Sequence, residues 1–191
     1  IMGTKRVLYF ERTELGLRDE KNKILYTPEH HTVVANQIQV ARKQKNLDDQ
    51  LLKAADKGDA ESIKKLLLNG ANANIYSMSI TGEKWSSVLY KAVYSNKVEA
   101  VKALLLAGAD PNAVYKSGGS PLFLAADSKS FGRRGNNDKK AKIIDLLIGA
   151  SANVNYRNSN GLSPLIMAVR SKNTHAIQSL VAAGANREAK D

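Results

Sequence analysis

The stretch S-V-L-Y-K-A-V-Y-S-N-K-V-E-A-V-K-A-L-L-L-A-G-A-D-P-N, residues 87–112, returns in altered form at 49–74, 120–155 and 163–187. Each copy closes on an apolar run, a turn residue (Gly70, Gly108, Ser151, Gly184), an alanine, and Asn or Asp. Upstream, each carries a leucine and an alanine three residues apart: Leu51/Ala54, Leu89/Ala92, Leu122/Ala125 and Leu165/Ala168. Gly70 and Gly108 are 38 residues apart, Gly108 and Ser151 43, and Ser151 and Gly184 33. The base unit is therefore 33 residues, lengthened by five once and by ten once. The five precede Ser87, because Asn74 to Ser87 spans 13 positions where Asn112 to Ser120 spans 8. The ten fall inside the third unit: Ala92 to Leu104 is 12 positions, Ala125 to Leu147 is 22. A fixed period of this kind indicates stacked supersecondary units.

Within a unit the chemistry is that of two short helices. Ser120-Pro121 and Ser163-Pro164 predict helix starts, a hydroxyl capping free N–H groups and a proline that loses nothing at the first position. Leu122, Ala125 and Ala126 then share one face. A second helix follows, with Val98, Val101, Leu104 and Leu105 on its buried side in the second unit, and Gly108 ends it by taking a positive φ. Helices this short cannot bury their apolar faces alone, so the units must stack.

These residues resemble the ankyrin repeat, whose signature T-P-L-H-x-A stands here as Ser87-Val88-Leu89-Tyr90-Lys91-Ala92, Ser120-Pro121-Leu122-Phe123-Leu124-Ala125 and Ser163-Pro164-Leu165-Ile166-Met167-Ala168. The first copy, Asp49-Gln50-Leu51-Leu52-Lys53-Ala54, is degenerate, and the signature histidine is absent from every copy. The resemblance implies an all-α ankyrin-repeat solenoid of helix-turn-helix units with hairpin fingers. Its four repeats are expected at about 48–86, 87–119, 120–162 and 163–191. Ser151 and Lys172 stand where the family prefers glycine, which predicts mild local strain.

Residues 1–46 fall outside the repeat. Ile1-Met2-Gly3 reads as an expression scar. Val7-Leu8-Tyr9-Phe10 and Ile24-Leu25-Tyr26 suit the two strands of a short hairpin across a polar connection, residues 11–23. Thr27-Pro28-Glu29 reads as a helix start, and the helix is expected to run to about Asn46. Val34, Ile38 and Ala41 form its apolar stripe, expected to cap the open face of the first repeat.

The chain has no cysteine, which excludes disulfides and thiolate metal sites and is compatible with a reducing, cytoplasmic compartment. No apolar run reaches the length of a membrane-spanning helix, and no signal peptide is seen at the start. His30 and His31 are adjacent, so on a helix they point about 100° apart, and no metal site is expected. His175 is expected at the surface, and Gln178 and Ser179 read as the softened, solvent-facing side of a terminal repeat. No Cys nucleophile, G-x-S-x-G or H-E-x-x-H pattern occurs; no catalytic residue, enzyme activity or cofactor is expected.

The resemblance implies protein binding on a concave face of fingers and inner helices. Carried over position by position, that face offers Trp85, Tyr94, Ser95, Lys116, Asp127, Arg157 and Arg170. The lengthened connection before Ser87 also holds Tyr76, Met78 and Ile80, and Trp85 either contacts a partner or folds back on the neighbouring finger. Tyr90, Phe123 and Ile166 are expected to pack between repeats. A monomeric, non-catalytic protein-interaction module is the leading expectation, with a resemblance to bacterial effectors delivered into a host cytosol. The alternative starts from the formal net charge of +11: nucleic acid or acidic lipid held by a mobile loop, residues 129–142, through Arg133, Arg134, Lys139 and Lys140.

Overall fold

A computed structural model describes residues 12–13, 16–18, 24–26, 28–79, 84–116, 118–127 and 137–187. The chain divides into two units, residues 1–45 and 46–191. In the first, β1 (Arg12–Thr13), β2 (Gly16–Arg18) and β3 (Ile24–Tyr26) form an antiparallel sheet in that order. Ile24–Tyr26 is a strand as expected, but it pairs with β2, inside the stretch read as a polar connection. Pairing with the nearer segment closes a shorter loop and loses less chain entropy. The other expected strand, Val7 to Phe10, lies outside the described residues.

Helix α1 spans Pro28–Lys57, so it does not end near Asn46. No proline or glycine interrupts the run from Asn46 to Lys57, and extending a formed helix is far easier than nucleating a new one. The break comes at Gly58, whose φ is +71°. The stripe assigned to capping is not buried: Val34, Ile38 and Ala41 are all exposed, as are the other residues from 32 to 43. The part of α1 that enters a core is its end, through Leu51, Ala54 and Ala55.

The second unit continues with α2 (Ala60–Leu68), β4 (Tyr76–Met78), β5 (Lys84–Ser87), α3 (Val88–Tyr94) and α4 (Val98–Leu106). Then come α5 (Pro121–Ala126), α6 (Asn137–Gly149), α7 (Pro164–Arg170) and α8 (Thr174–Ala182). The inner helices α3, α5 and α7 pack in sequence, the outer helices α2, α4, α6 and α8 do the same, and inner packs on outer within each of the last three repeats. Equivalent positions fill the core. Leu51, Leu89, Leu122 and Leu165 are buried, as are Leu66, Leu104, Leu147 and Leu180. Each buried leucine contributes on the order of 1.5–3 kcal/mol. The alanines Ala54, Ala92, Ala125 and Ala168 are buried too, and their small side chains let inner helices approach.

The helix starts follow the sequence closely. Ser87, Ser120 and Ser163 accept the N–H groups of Tyr90, Phe123 and Ile166 at 3.0, 3.1 and 3.2 Å. Ser151 and Lys172 take φ of +64° and +56°, the strain anticipated for them, and Asn96 joins them at +53°. A relay of side chains ties successive fingers. Asp48 Oδ1 accepts the N–H of Asn72 at 3.0 Å. The Oδ1 atoms of Asn74, Asn112 and Asn155 then accept the N–H groups of Asp110, Asn153 and Asn186 at 2.7, 2.7 and 2.8 Å.

Between α5 and α6 the insertion lies where the spacing placed it, but it is not all loop. Aligned on Gly108 and Ser151, α6 begins four residues earlier than α4, so residues 137–140 add about one helical turn. Asp138 sits in that first turn, where the helix dipole favours a carboxylate.

Candidate protein-binding face

The lengthened connection before Ser87 folds into the β4–β5 hairpin, with Tyr76 opposite Ser87 and Ser77 opposite Ser86. Lys84 Nζ lies 4.9 Å from the Tyr76 ring centre. The next finger turns tightly: Tyr115 N–H donates to the Gly119 carbonyl at 2.8 Å and Gly118 N–H to Tyr115 at 2.7 Å. It joins the hairpin by the N–H of Lys116, which donates to the Trp85 carbonyl at 3.0 Å. The third finger repeats the turn, Asn158 N–H donating to Leu162 at 3.0 Å and Gly161 N–H to Asn158 at 2.9 Å.

Three aromatic rings connect fingers to helix. Trp85 meets Tyr115 edge to face, with ring centres 5.9 Å apart. Tyr115 stacks on Tyr90 at 4.9 Å and 13°. Tyr90 in turn feels Tyr94, one helical turn on along α3. Burial first, then the neighbouring Tyr115 and Tyr94, push the Tyr90 phenol up to about 12. Lys116 Nζ lies 5.3 Å from the Trp85 ring centre. The indole therefore does pack on the neighbouring finger, yet it stays 42% exposed, and Tyr94 is 60% exposed. Tyr90 and Phe123 are half-buried and Ile166 is buried, as expected for residues between repeats.

The remaining candidate residues spread along the same row. Ser95 and Asp127 are half-buried and end α3 and α5. Arg157 is exposed, with Nη1 donating to the Gly161 carbonyl of its own finger at 2.7 Å. Arg170 is exposed at the end of α7. Asp56, Tyr94, Asp127 and Arg170 occupy equal positions of successive repeats. The acids are offset from within: Lys91 Nζ reaches both Asp56 oxygens at 2.9 Å, and Lys140 feels the charge of Asp127. Tyr115 and Lys84 escaped the sequence reading, because the repeat pattern assigns neither a contact.

The basic cluster is divided. Arg133 and Arg134 lie outside the described residues. Lys139 is exposed on α6, but Lys140 is only 3% exposed, and burial holds its amine below the usual lysine range against the opposing effect of Asp127. Lys140 is thus a buried side chain of a helix and not a contact on a mobile loop. The helical turn added at residues 137–140 turns it inward.

His175 does not stand alone at the surface. Its Nε2 lies 3.1 Å from Asp145 Oδ1 and 3.3 Å from Ser179 Oγ, and Ser179 also donates to Asp145 at 3.0 Å. Ser179 is therefore turned toward α6 and not to solvent. A Ser-His-Asp relay needs hydroxyl and carboxylate on opposite ring nitrogens. Here both meet Nε2, so the group is a link between the outer helices α6 and α8. Among the described residues no three His, Asp or Glu side chains converge as a metal site would require.

Two family models match the chain: ankyrin repeats (3 copies) over residues 51–133, and ankyrin repeat over residues 160–191. The unmatched interval between them holds the end of the insertion and α6, whose packing is nevertheless that of an outer repeat helix. The chain belongs to the ankyrin-repeat family, and it is an all-α solenoid. Proteins of this family are generally protein-interaction modules and typically non-catalytic scaffolds. No curated protein matches the chain.

Proposed function

We propose that the chain binds a protein partner on the concave side formed by its fingers and inner helices, without catalysing a reaction. The run Trp85–Tyr115–Tyr90, with Tyr94 one helical turn further along α3, carries this reading. Tyr115 and Tyr90 stack on each other and Tyr115 braces the Trp85 indole, while Trp85 and Tyr94 keep large exposed surfaces. Rigid aromatic side chains of this kind dominate interface energy, because they bury much area and lose little rotamer freedom on binding.

The test is a crosslinking pulldown comparing wild type with a Trp85→Ala/Tyr94→Ala/Arg170→Ala variant. The resemblance to delivered bacterial effectors directs the search to a eukaryotic cell lysate. A protein retained by wild type and lost from the folded variant supports the proposal. Equal recovery from both rejects this face as the working surface.

A further inference from the structure

We infer that the partner segment bound on this face is acidic, with an apolar anchor and carboxylates at a spacing set by the repeat; this rests on the protein-binding reading above. The charges on the face are unequal. Lys84 and Lys116 lie over the rings of the finger side, and Arg157 projects from the third finger. Arg170 closes the inner-helix row. Of the acids of that row, Asp56 is already paired with Lys91 at 2.9 Å, and the charge of Asp127 acts on the buried Lys140. A ligand therefore meets a surface whose negative charges are offset within the fold and whose positive charges flank exposed aromatics. The whole chain carries the same sign, with 29 Lys and Arg against 18 Asp and Glu.

Guanidinium groups favour carboxylates because their planar N–H fork matches two oxygens at once. Arg157 spends one Nη1 proton on Gly161, a bond that orients the group and leaves donors for a ligand. The repeat supplies the spacing. Neighbouring helices pack about 8–10 Å apart, so Tyr94 and Arg170, two repeats from each other, are separated by roughly 16–20 Å. An extended chain advances about 3.3 Å per residue, so an anchor on Tyr94 and a carboxylate on Arg170 lie about five to six residues apart. A carboxylate for Arg157, two repeats on from Trp85 and one from Lys116, likewise falls about five to six residues from an anchor on Trp85.

Selection of randomised peptides on the immobilised chain tests this, with circular dichroism confirming that each variant is folded. The expected result is enrichment of Asp and Glu about five to six residues from an aromatic or aliphatic residue. Binding should weaken at least about tenfold in Arg157→Glu/Arg170→Glu and fall as salt rises. Neutral or basic peptides lost from Trp85→Ala/Tyr94→Ala but retained by the charge-reversed variant overturn the acidic partner and leave the binding face standing. Peptides indifferent to both variants, or no enrichment, overturn both. Tighter, charge-dependent capture of an RNA oligonucleotide or of phosphatidylserine vesicles overturns the acidic protein segment in favour of a phosphate ligand.

Discussion

Asn74 holds the next repeat by both ends of its amide: Oδ1 accepts the N–H of Asp110 at 2.7 Å, and Nδ2 donates to the carbonyl of Gly108 at 3.0 Å. Its own N–H is bound by Asn72 Oδ1 at 2.8 Å, which fixes the side chain's aim. One residue thus satisfies the turn that follows α4 and the start of the following finger. Asn155 repeats the arrangement toward Asn186 and, at 3.5 Å, Gly184.

Asn74→Ala is expected to destabilise the stack by about 1–2 kcal/mol, since two backbone groups lose partners. Asn74→Asp keeps the acceptor but removes the donor and sets a carboxylate against the Gly108 carbonyl. It should therefore cost more than Asn112→Asp, where only the acceptor bond to Asn153 is made among the described residues. Urea midpoints of the three variants check the order.

Left-handed positions give predictions of opposite sign. Ser151 and Lys172 carry side chains at positive φ, so Ser151→Gly and Lys172→Gly should each raise stability by about 0.5–1 kcal/mol, the relief of strain exceeding the entropy glycine loses. Gly58→Ala should lower it by at least about 1 kcal/mol, because an added Cβ at φ +71° would overlap the Lys97 stem. Thermal melts of the three single variants decide it.

Tyr90 sets an alkaline limit. Its folded pKa of about 12 lies above the ordinary 10, so the fold holds the phenol proton more tightly than the unfolded chain does. The stability it contributes is whole below pH 10 and is lost as pH climbs from 10 through about 12. Tyr90→Phe should flatten that part of the stability curve. An unchanged slope in urea titrations across this range would refute the assignment.

Lys140 and Lys139 should respond differently to charge reversal despite being neighbours. Lys140→Glu buries a carboxylate near Asp127 and is expected to cost about 3 kcal/mol or more. Lys139→Glu changes an exposed residue in the first turn of α6 and should stay within about 0.5 kcal/mol of wild type. Equal effects in a denaturant titration would reject the buried placement.

Helix starts and turns were legible because they are local. A serine three residues ahead of the N–H it caps, or a glycine after an apolar run, acts within one turn of chain. The continuity of α1 was not legible: the repeat pattern puts a new unit at about residue 48, and a favourable helix already in progress overrode that boundary. Lys140 misled for a related reason. Composition makes Lys-rich stretches look solvated, whereas the added turn of α6 points this one inward.

By itself the sequence determined the 33-residue period, the two helices per repeat, the core leucines and alanines, and the position of both insertions. Each is set by periodic apolar spacing or by short-range capping, which the chain states directly. Only the tertiary structure decided that Tyr115 joins Trp85 to Tyr90, that Asn74 spans to Asp110, and that His175 and Ser179 turn to Asp145. Those pairs lie 25 to 36 residues apart along the chain, and no local rule aims one side chain at another across a repeat boundary. Stacking does, by holding neighbouring units in a register that the backbone of a single repeat does not contain.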